Sequence, residues 1–306
     1  MKKIRNRSYF AMLIAAALVL GLCIYAVRLY TEGKDWVMLR ANQSVFNEGI
    51  LDTGVLYDRN GVVLAAASNG VFSYSPDPTV RKACLHAVGD YGGNIGTGAL
   101  SAFDFRLAGY DFVNGVSSLD GCGGRVRLSI DSALNVAAYN ALNGRKGAVL
   151  VSNYKTGEIL CMVSSPSYDP SNPPDLTDKA YEGAFINRCL GAAYTPGSVF
   201  KLVTLAAALE NIPDIKNRTF SCSGSTVVAG ETVRCSGTHG QQTIEQALAN
   251  SCNVAFSDIS QELGADKIYE YAEKFGFFES LNISGINTAR GSADKAEKGT
   301  SNLSWM

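Results

Sequence analysis

Tyr194-Thr195-Pro196-Gly197-Ser198-Val199-Phe200-Lys201 is the stretch on which the reading of this chain turns. Pro196-Gly197 forces a sharp change of direction. Val199, Leu202, Val203, Ala206 and Leu209 then recur at helical spacing, which predicts a helix over Phe200–Leu209 with one apolar face. Ser198 and Lys201 stand three apart, and residues three apart share one side of a helix. A serine hydroxyl is a poor nucleophile until a neighbouring base takes its proton. A lysine partly withdrawn from water near a helix N-terminus has its charged form disfavoured, so its neutral amine can act as that base. Taken alone, the same letters also fit a serine capping a helix with a solvated lysine one turn on.

A second polar triplet, Ser251-Cys252-Asn253, follows a short predicted helix over Ile244–Leu248. A hydroxyl and a carboxamide two residues apart in a connection between helices can face one cleft. The first can relay protons and the second can hold a substrate amide. The plainer role of such residues is to cap the next helix, predicted over Val254–Leu263 and followed by another over Lys267–Phe275. The two motifs together, in this order and behind a membrane segment, are far more specific than either alone.

That membrane segment is the uncharged run Ser8–Val27, bounded by Arg7 and Arg28. At about 1.5 Å per residue a helix of this length crosses a hydrocarbon core of about 30 Å. Lys2, Lys3, Arg5 and Arg7 precede it, which by the positive-inside rule keeps the N-terminus in the cytoplasm. A cleaved signal peptide would have a shorter apolar region and a small-residue cleavage site, and no good site precedes Arg28. Leu22 before Cys23 is too bulky for a lipoprotein signal. The expectation is a cytoplasmic tail over 1–7, a transmembrane anchor over 8–28 and an exported remainder, a single-pass type II protein.

The exported part divides into two regions of different texture. Over 29–125, a mainly-β region, helical spacing of Trp36, Leu39, Val45 and Phe46 predicts a stalk over 29–50. Val55–Ala65, with Asn60-Gly61 at its centre, predicts a β-hairpin. Glycines crowd residues 90–125, and Gly92-Gly93-Asn94-Ile95-Gly96-Thr97-Gly98 lacks the G-K-[ST] ending of a phosphate loop, so a plain loop is expected there. Over 126–306 the pattern is α+β. A strand at Arg127–Ile130 precedes a helix over Ala133–Leu142 capped by Asp131 or Ser132. The continuous apolar run Gly147–Ser152 predicts a central buried strand, returning through Asn153–Gly157 as a second strand over Glu158–Ser164. A Pro-rich loop spans Pro166 to Pro174.

Composition narrows the function classes. The chain has 306 residues, 46% hydrophobic and 18% charged, a globular balance. Lys+Arg (27) nearly cancels Asp+Glu (28), so no basic face invites nucleic acid. The two histidines, His86 and His239, argue against a His-rich metal site. Eight cysteines in a chain that faces outward are of interest. Cys222 and Cys235 bracket a Gly-containing hairpin, where a disulfide and two buried thiols are both open readings. Cys222, Cys235 and His239 lack the C-x2–4-C knuckle of structural zinc sites, and no metal or cofactor is expected.

Ser198-x-x-Lys201 and Ser251-x-Asn253 resemble the motifs of the penicillin-binding protein and serine β-lactamase superfamily. The context is similar to class B penicillin-binding proteins, through Asp58-Arg59-Asn60-Gly61, the Lys146–Pro173 stretch, Asn187-Arg188, and His239-Gly240 with Gln246–Asn253. The resemblance implies a pedestal over 29–125 and a transpeptidase domain over 126–306. It also implies acylation of Ser198 by peptidoglycan stem peptides ending in D-Ala-D-Ala, and by β-lactams, with Lys201, Ser251 and Asn253 in the site. A polytopic SEDS-type glycosyltransferase is the implied membrane partner, and a non-catalytic scaffold for that partner is the alternative reading. A β-lactam sensor or hydrolase fits less well, because such relatives lack the long pedestal. The family's third motif, K-[ST]-G, follows S-x-N, yet no such triplet occurs in 252–306. Lys155-Thr156-Gly157 has the letters but precedes the nucleophile, in a predicted turn. Asp52-Thr53-Gly54 departs from the Arg-Gly common before the first pedestal strand. The sequence therefore reads as an incomplete transpeptidase domain, expected to acylate slowly or not at all for want of one oxyanion donor and the carboxylate anchor.

Overall fold

The computed structural model describes residues 2–294 apart from 40, 43–44, 48–49, 52–53, 69–70, 114, 117–122, 176 and 229. Asp52, Thr53, Cys122 and the stretch after Asp294, singled out above, lie outside the described residues. The chain forms two compact units, Met1–Ala192 and Ala193–Met306.

The first unit begins with helix α1 (Lys2–Val37), in which an 18-residue window of the stretch Asn6–Val37 reaches a mean hydropathy of 2.6 with no residue buried. Helix continues past Arg28 but stops at Val37, short of the expected stalk to residue 50; β1 (Phe46–Asn47) and β2 (Ile50–Leu51) pair antiparallel instead. The expected hairpin is present as β3 (Gly54–Tyr57) and β4 (Val63–Ser68). With β5 (Val71–Tyr74) and β6 (Arg125–Arg127) they form a sheet in the order β5-β4-β3-β6, in which β6 runs parallel to β3. The strand expected at Arg127–Ile130 thus lies earlier. Its partner β3 turns away after Tyr57, and only single contacts such as Leu128 N to Tyr57 O at 2.8 Å follow.

Helix α2 (Pro78–Val88) starts at Asp77, whose carboxylate accepts from Thr79 N at 2.7 Å. The Gly-rich stretch is not all loop: it holds single helical turns α3 (Ala99–Ala102) and α4 (Asp104–Leu107). The local glycines include a close approach, since a Cβ on Gly124 would sit 1.6 Å from the Arg106 carbonyl oxygen. Helix α5 (Ser132–Leu142) is capped by Asp131, one of the two expected caps. Strands β7 (Gly147–Ser152) and β8 (Ile159–Ser165) form the expected hairpin, and β8 packs its buried residues against α2 and α5. Strand β7 is not the central buried strand its composition predicts. Among the described residues it pairs with β8 alone, and Leu150 and Val151 are 48% and 38% exposed.

The second unit opens with a 3-10 turn, Gly197–Phe200, that feeds α6 (Lys201–Asn211). Strands β9 (Phe220–Cys222), β10 (Ser225–Val228), β11 (Glu231–Arg234) and β12 (Gly240–Gln242) follow; β10 and β11 form the hairpin between Cys222 and Cys235, and β12 returns antiparallel to β9. Helix α7 (Ile244–Ala249) carries a capping box between Thr243 and Gln246. Helices α8 (Asn253–Leu263) and α9 (Ala265–Lys274) and a small pair, β13 (Asn282–Ile283) and β14 (Ile286–Asn287), complete the unit. Val203, Ala207 and Ala208 of α6 are buried, whereas Val199, Leu202 and Leu209 of the predicted apolar face are exposed. Helix α6 is apolar on two sides, and the core against α8 and α9 takes the Val203 side.

Candidate active site

The geometry of Ser198 and Lys201 comes from a change of helix type. Gly197 adopts a left-handed φ of 59°, which turns the chain into the tight 3-10 turn. The α-helix then begins at Lys201 itself, so its side chain reaches back over the turn that carries Ser198. Lys201 Nζ donates to Ser198 Oγ at 2.9 Å, as the spacing predicts.

The second motif approaches from the α7–α8 connection. Ser251 N donates to Leu248 O at 2.9 Å and Cys252 N to Ala247 O at 2.8 Å, which closes the end of α7. Between them Ser251 takes a left-handed φ of 51°, a conformation that costs a non-glycine residue about 1–2 kcal/mol. This strain turns both Ser251 oxygens towards Lys201: Nζ lies 3.1 Å from Ser251 Oγ and 3.3 Å from Ser251 O. Asn253 Oδ1 is closer still at 2.7 Å. The structure thus brings all four sequence-predicted site residues onto one amine.

Every hydrogen-bond partner of that amine among the described residues is a neutral oxygen. Burial pushes the Lys201 ammonium below its ordinary range, and the nearby Cys235 and Cys252 sulfurs offset this only in part. The Phe256 ring centroid lies 5.9 Å away. A desolvated lysine held among hydroxyls is equipped to hold or release a proton. Asn253 Nδ2 donates to the Arg234 carbonyl at 2.9 Å, so both ends of the Asn253 amide are occupied inside the protein. Holding a substrate amide would require it to exchange one of these bonds.

Lys155-Thr156-Gly157 lies in the first unit, in the β7–β8 turn, where Lys155 N donates to Asn153 Oδ1 at 3.0 Å and Thr156 Oγ1 to Glu158 Oε2 at 3.1 Å. Sequence reasoning set aside Cys222, Cys235 and His239 as a metal set and missed the fourth member, Cys252. Cys222, Cys235, His239 and Cys252 bring four donor atoms within 4.8 Å of one another, and the three thiols are free. Of the two open readings for Cys222 and Cys235, the structure therefore has the thiols and not the disulfide. Burial opposes ionisation of Cys235, but backbone N–H groups of Asn253 and Val254 outweigh it and bring the thiol down to about 6. In the first unit burial does the opposite to Cys84 and Cys161, pushed up to about 12 and about 11. The overlooked signal was Cys252, which stands as far after His239 as Cys222 stands before Cys235.

A strained serine, a desolvated lysine and a paired S-x-N turn on this fold define a class, the proteins of the penicillin-binding type. The chain belongs to the penicillin-binding protein transpeptidase domain family, which matches residues 147–304. It is similar to stage V sporulation protein D of Bacillus subtilis, 34% identical over 168 residues, 52% of this chain and 26% of that protein. It is also similar to the peptidoglycan D,D-transpeptidase PbpA of Mycolicibacterium smegmatis, 31% identical over 208 residues, 58% of this chain and 40% of that protein. Among solved structures, the D,D-transpeptidase domain of a peptidoglycan glycosyltransferase from Eggerthella lenta superposes with a TM-score of 0.69 at 30% identity, covering 83% of this chain and 60% of that one. The chain therefore spans well under half the length of the curated relatives named here.

Proposed function

We propose that the chain is a membrane-anchored peptidoglycan D,D-transpeptidase that forms an acyl-enzyme on Ser198. Neutral Lys201 takes the Ser198 proton as Oγ attacks the carbonyl of the penultimate D-Ala of a stem peptide. The C–N bond to the terminal D-Ala breaks, and the proton passes through Lys201 and Ser251 to the departing amine. An amine from a neighbouring stem then takes the acyl group and frees Ser198. β-Lactams enter the first half of this cycle and stop there. Asn253 holds the Lys201 amine in line and exchanges its Arg234 bond for the substrate amide.

The observation that carries this reading is the Lys201 amine, 2.9 Å from Ser198 Oγ and 3.1 Å from Ser251 Oγ, with only neutral oxygens as hydrogen-bond partners among the described residues. Four positive charges ahead of the apolar helix support a type II orientation, with a pedestal over 29–125 and a transpeptidase region from 126 outside the membrane. A polytopic SEDS-type glycosyltransferase is the proposed partner of the anchor and pedestal. The test is mass spectrometry of the full chain in detergent after prolonged exposure to a fluorescent penicillin. The adduct is expected on the Ser198 peptide and absent in Ser198→Ala. Labelling is expected to be slow; an adduct elsewhere or one that survives Ser198→Ala would overturn the proposal, and none at all would favour the non-catalytic scaffold over it.

A further inference from the structure

We propose that Cys222, Cys235, His239 and Cys252 form a tetrahedral zinc site of three thiolates and one imidazole, which braces the turn carrying Ser251 and Asn253. With Zn–S of about 2.3 Å and Zn–N of about 2.0–2.1 Å, tetrahedral geometry sets sulfurs about 3.8 Å apart and a sulfur and nitrogen about 3.6 Å apart. Cys235 Sγ lies 3.8 Å from Cys252 Sγ and 3.5 Å from His239 Nδ1. Two edges of the tetrahedron are thus already drawn, and all four donors fall within 4.8 Å of one another.

The donors come from four places in the second unit: the end of β9, the residue after β11, the loop before β12, and the N-cap of α8. Cys222 and Cys252 are buried at 1% and 0% exposure, while Cys235 and His239 are partly exposed and leave a path for the ion. Asn253 N donates to Cys235 Sγ at 3.3 Å and Ala255 N to Cys252 Sγ at 3.5 Å. Backbone N–H groups at a helix N-terminus stabilise anionic sulfur, and such bonds orient metal-bound ligands. A soft donor set of three sulfurs and one imidazole nitrogen, with no carboxylate, selects zinc over the harder divalent ions. Binding would release a proton from each sulfur still protonated and would form four metal–ligand bonds without redox change. Cys252 lies between Ser251 and Asn253, so the ion would fix the strained turn that carries both.

The site does not depend on the acyl-transfer reading, because its metal content should be the same in Ser198→Ala. The full chain in detergent, purified without chelator and dialysed, is expected to carry ~1 zinc per chain by elemental analysis. Cobalt(II) exchanged into it should give tetrahedral ligand-field bands and sulfur-to-cobalt charge transfer. Cys222→Ser/Cys235→Ser should lose both signals and Cys23→Ser neither. In the unaltered chain, a strong chelator should lower the thermal midpoint and added zinc should restore it, a readout that stands even where the double variant fails to fold. Absence of zinc with only octahedral cobalt would overturn the proposal. Zinc retained by the double variant, a disulfide within the trio in protein purified without reductant, or a midpoint indifferent to chelator would do the same.

Discussion

Two polar networks in this molecule use the same groups to different ends. In the first unit, Asp58 is fully buried and accepts from Asn60 N and Val62 N at 2.8 Å each, Ser132 Oγ at 2.7 Å and Ser132 N at 3.2 Å. Burial works against its charge, but the Ser132 hydroxyl and the three backbone N–H groups outweigh that and hold the carboxyl below its ordinary range. In the second unit, Lys201 is also partly withdrawn from water, yet its partners are neutral oxygens that do little to keep it charged. One network locks its ionised group in place. The other leaves its group ready to change protonation, and that separates a strut from the proposed reactive centre.

The sharpest way to break this comparison is Lys201→Arg. Arginine keeps the charge and cannot be deprotonated at working pH. Acylation by fluorescent penicillin should fall by about 10²–10⁴-fold, the usual worth of a positioned base, while the thermal midpoint barely moves. A near-normal rate would shift the base to Ser251 or elsewhere. The complementary change is Asp58→Ala, which strands three backbone N–H groups and a buried hydroxyl in the first unit. Stability to denaturant should fall by about 3 kcal/mol, because unsatisfied buried donors cost about 1–3 kcal/mol each before the site relaxes. The folded fraction should acylate normally.

Acid should separate the two kinds of group along the pH axis. Lys201 has its pKa lowered by burial, so its neutral form is present at lower pH than in a free lysine. Acylation should decline as pH falls through that depressed value, with the fold still intact. Asp169 has its carboxyl pulled down by the Arg81 guanidinium, which it meets at 2.6 Å in a mostly buried pair. Its contribution is complete above the unfolded carboxylate range and is lost only as pH falls through the lower folded value. Asp169→Asn should cost roughly 1.5–3 kcal/mol at neutral pH, the worth of a charged hydrogen bond. That difference should vanish in acid. If the rate and the stability fell together, the lysine would not be titrating independently of the fold.

What the sequence disclosed was what is local. Ser198 and Lys201 lie within one helical turn, Asn60-Gly61 makes its own hairpin, and Asp131 caps the helix it precedes. The meeting of Lys201 with Ser251, 50 residues on, is not local, and it was legible through the order of the two motifs and the family they resemble. Three members of the cysteine cluster were set aside for want of a short C-x-x-C pair, and the fourth was hidden because Cys252 joins them only through the pairing of β9 with β12 and the N-cap of α8. Strand β7 misled for a different reason: an apolar run predicts burial on both faces, but in the described residues only one edge has a partner. Arg125–Arg127 was overlooked because one inward Val126 between two exposed arginines is too short a pattern to read as a strand.

The smallest expected effect tests whether letters or surroundings make a site. Lys155-Thr156-Gly157 spells the family's third motif, and Lys155 carries the same amine as Lys201. Yet Lys155 is exposed in a turn, its backbone N–H is taken by Asn153, and its ammonium sits 5.7 Å from the ring of Tyr154, itself 89% exposed. Water surrounds that amine, and no serine hydroxyl or carboxamide is set against it as Ser198, Ser251 and Asn253 are against Lys201. Lys155→Ala should leave the acylation rate and its pH profile within error of the unaltered chain. It should shift stability by less than about 0.5 kcal/mol, as for an ordinary surface substitution. A tenfold loss of acylation would mean that this turn serves the reaction after all, and the contrast between a partly buried lysine held among neutral oxygens and a solvated one would no longer be what sets Lys201 apart.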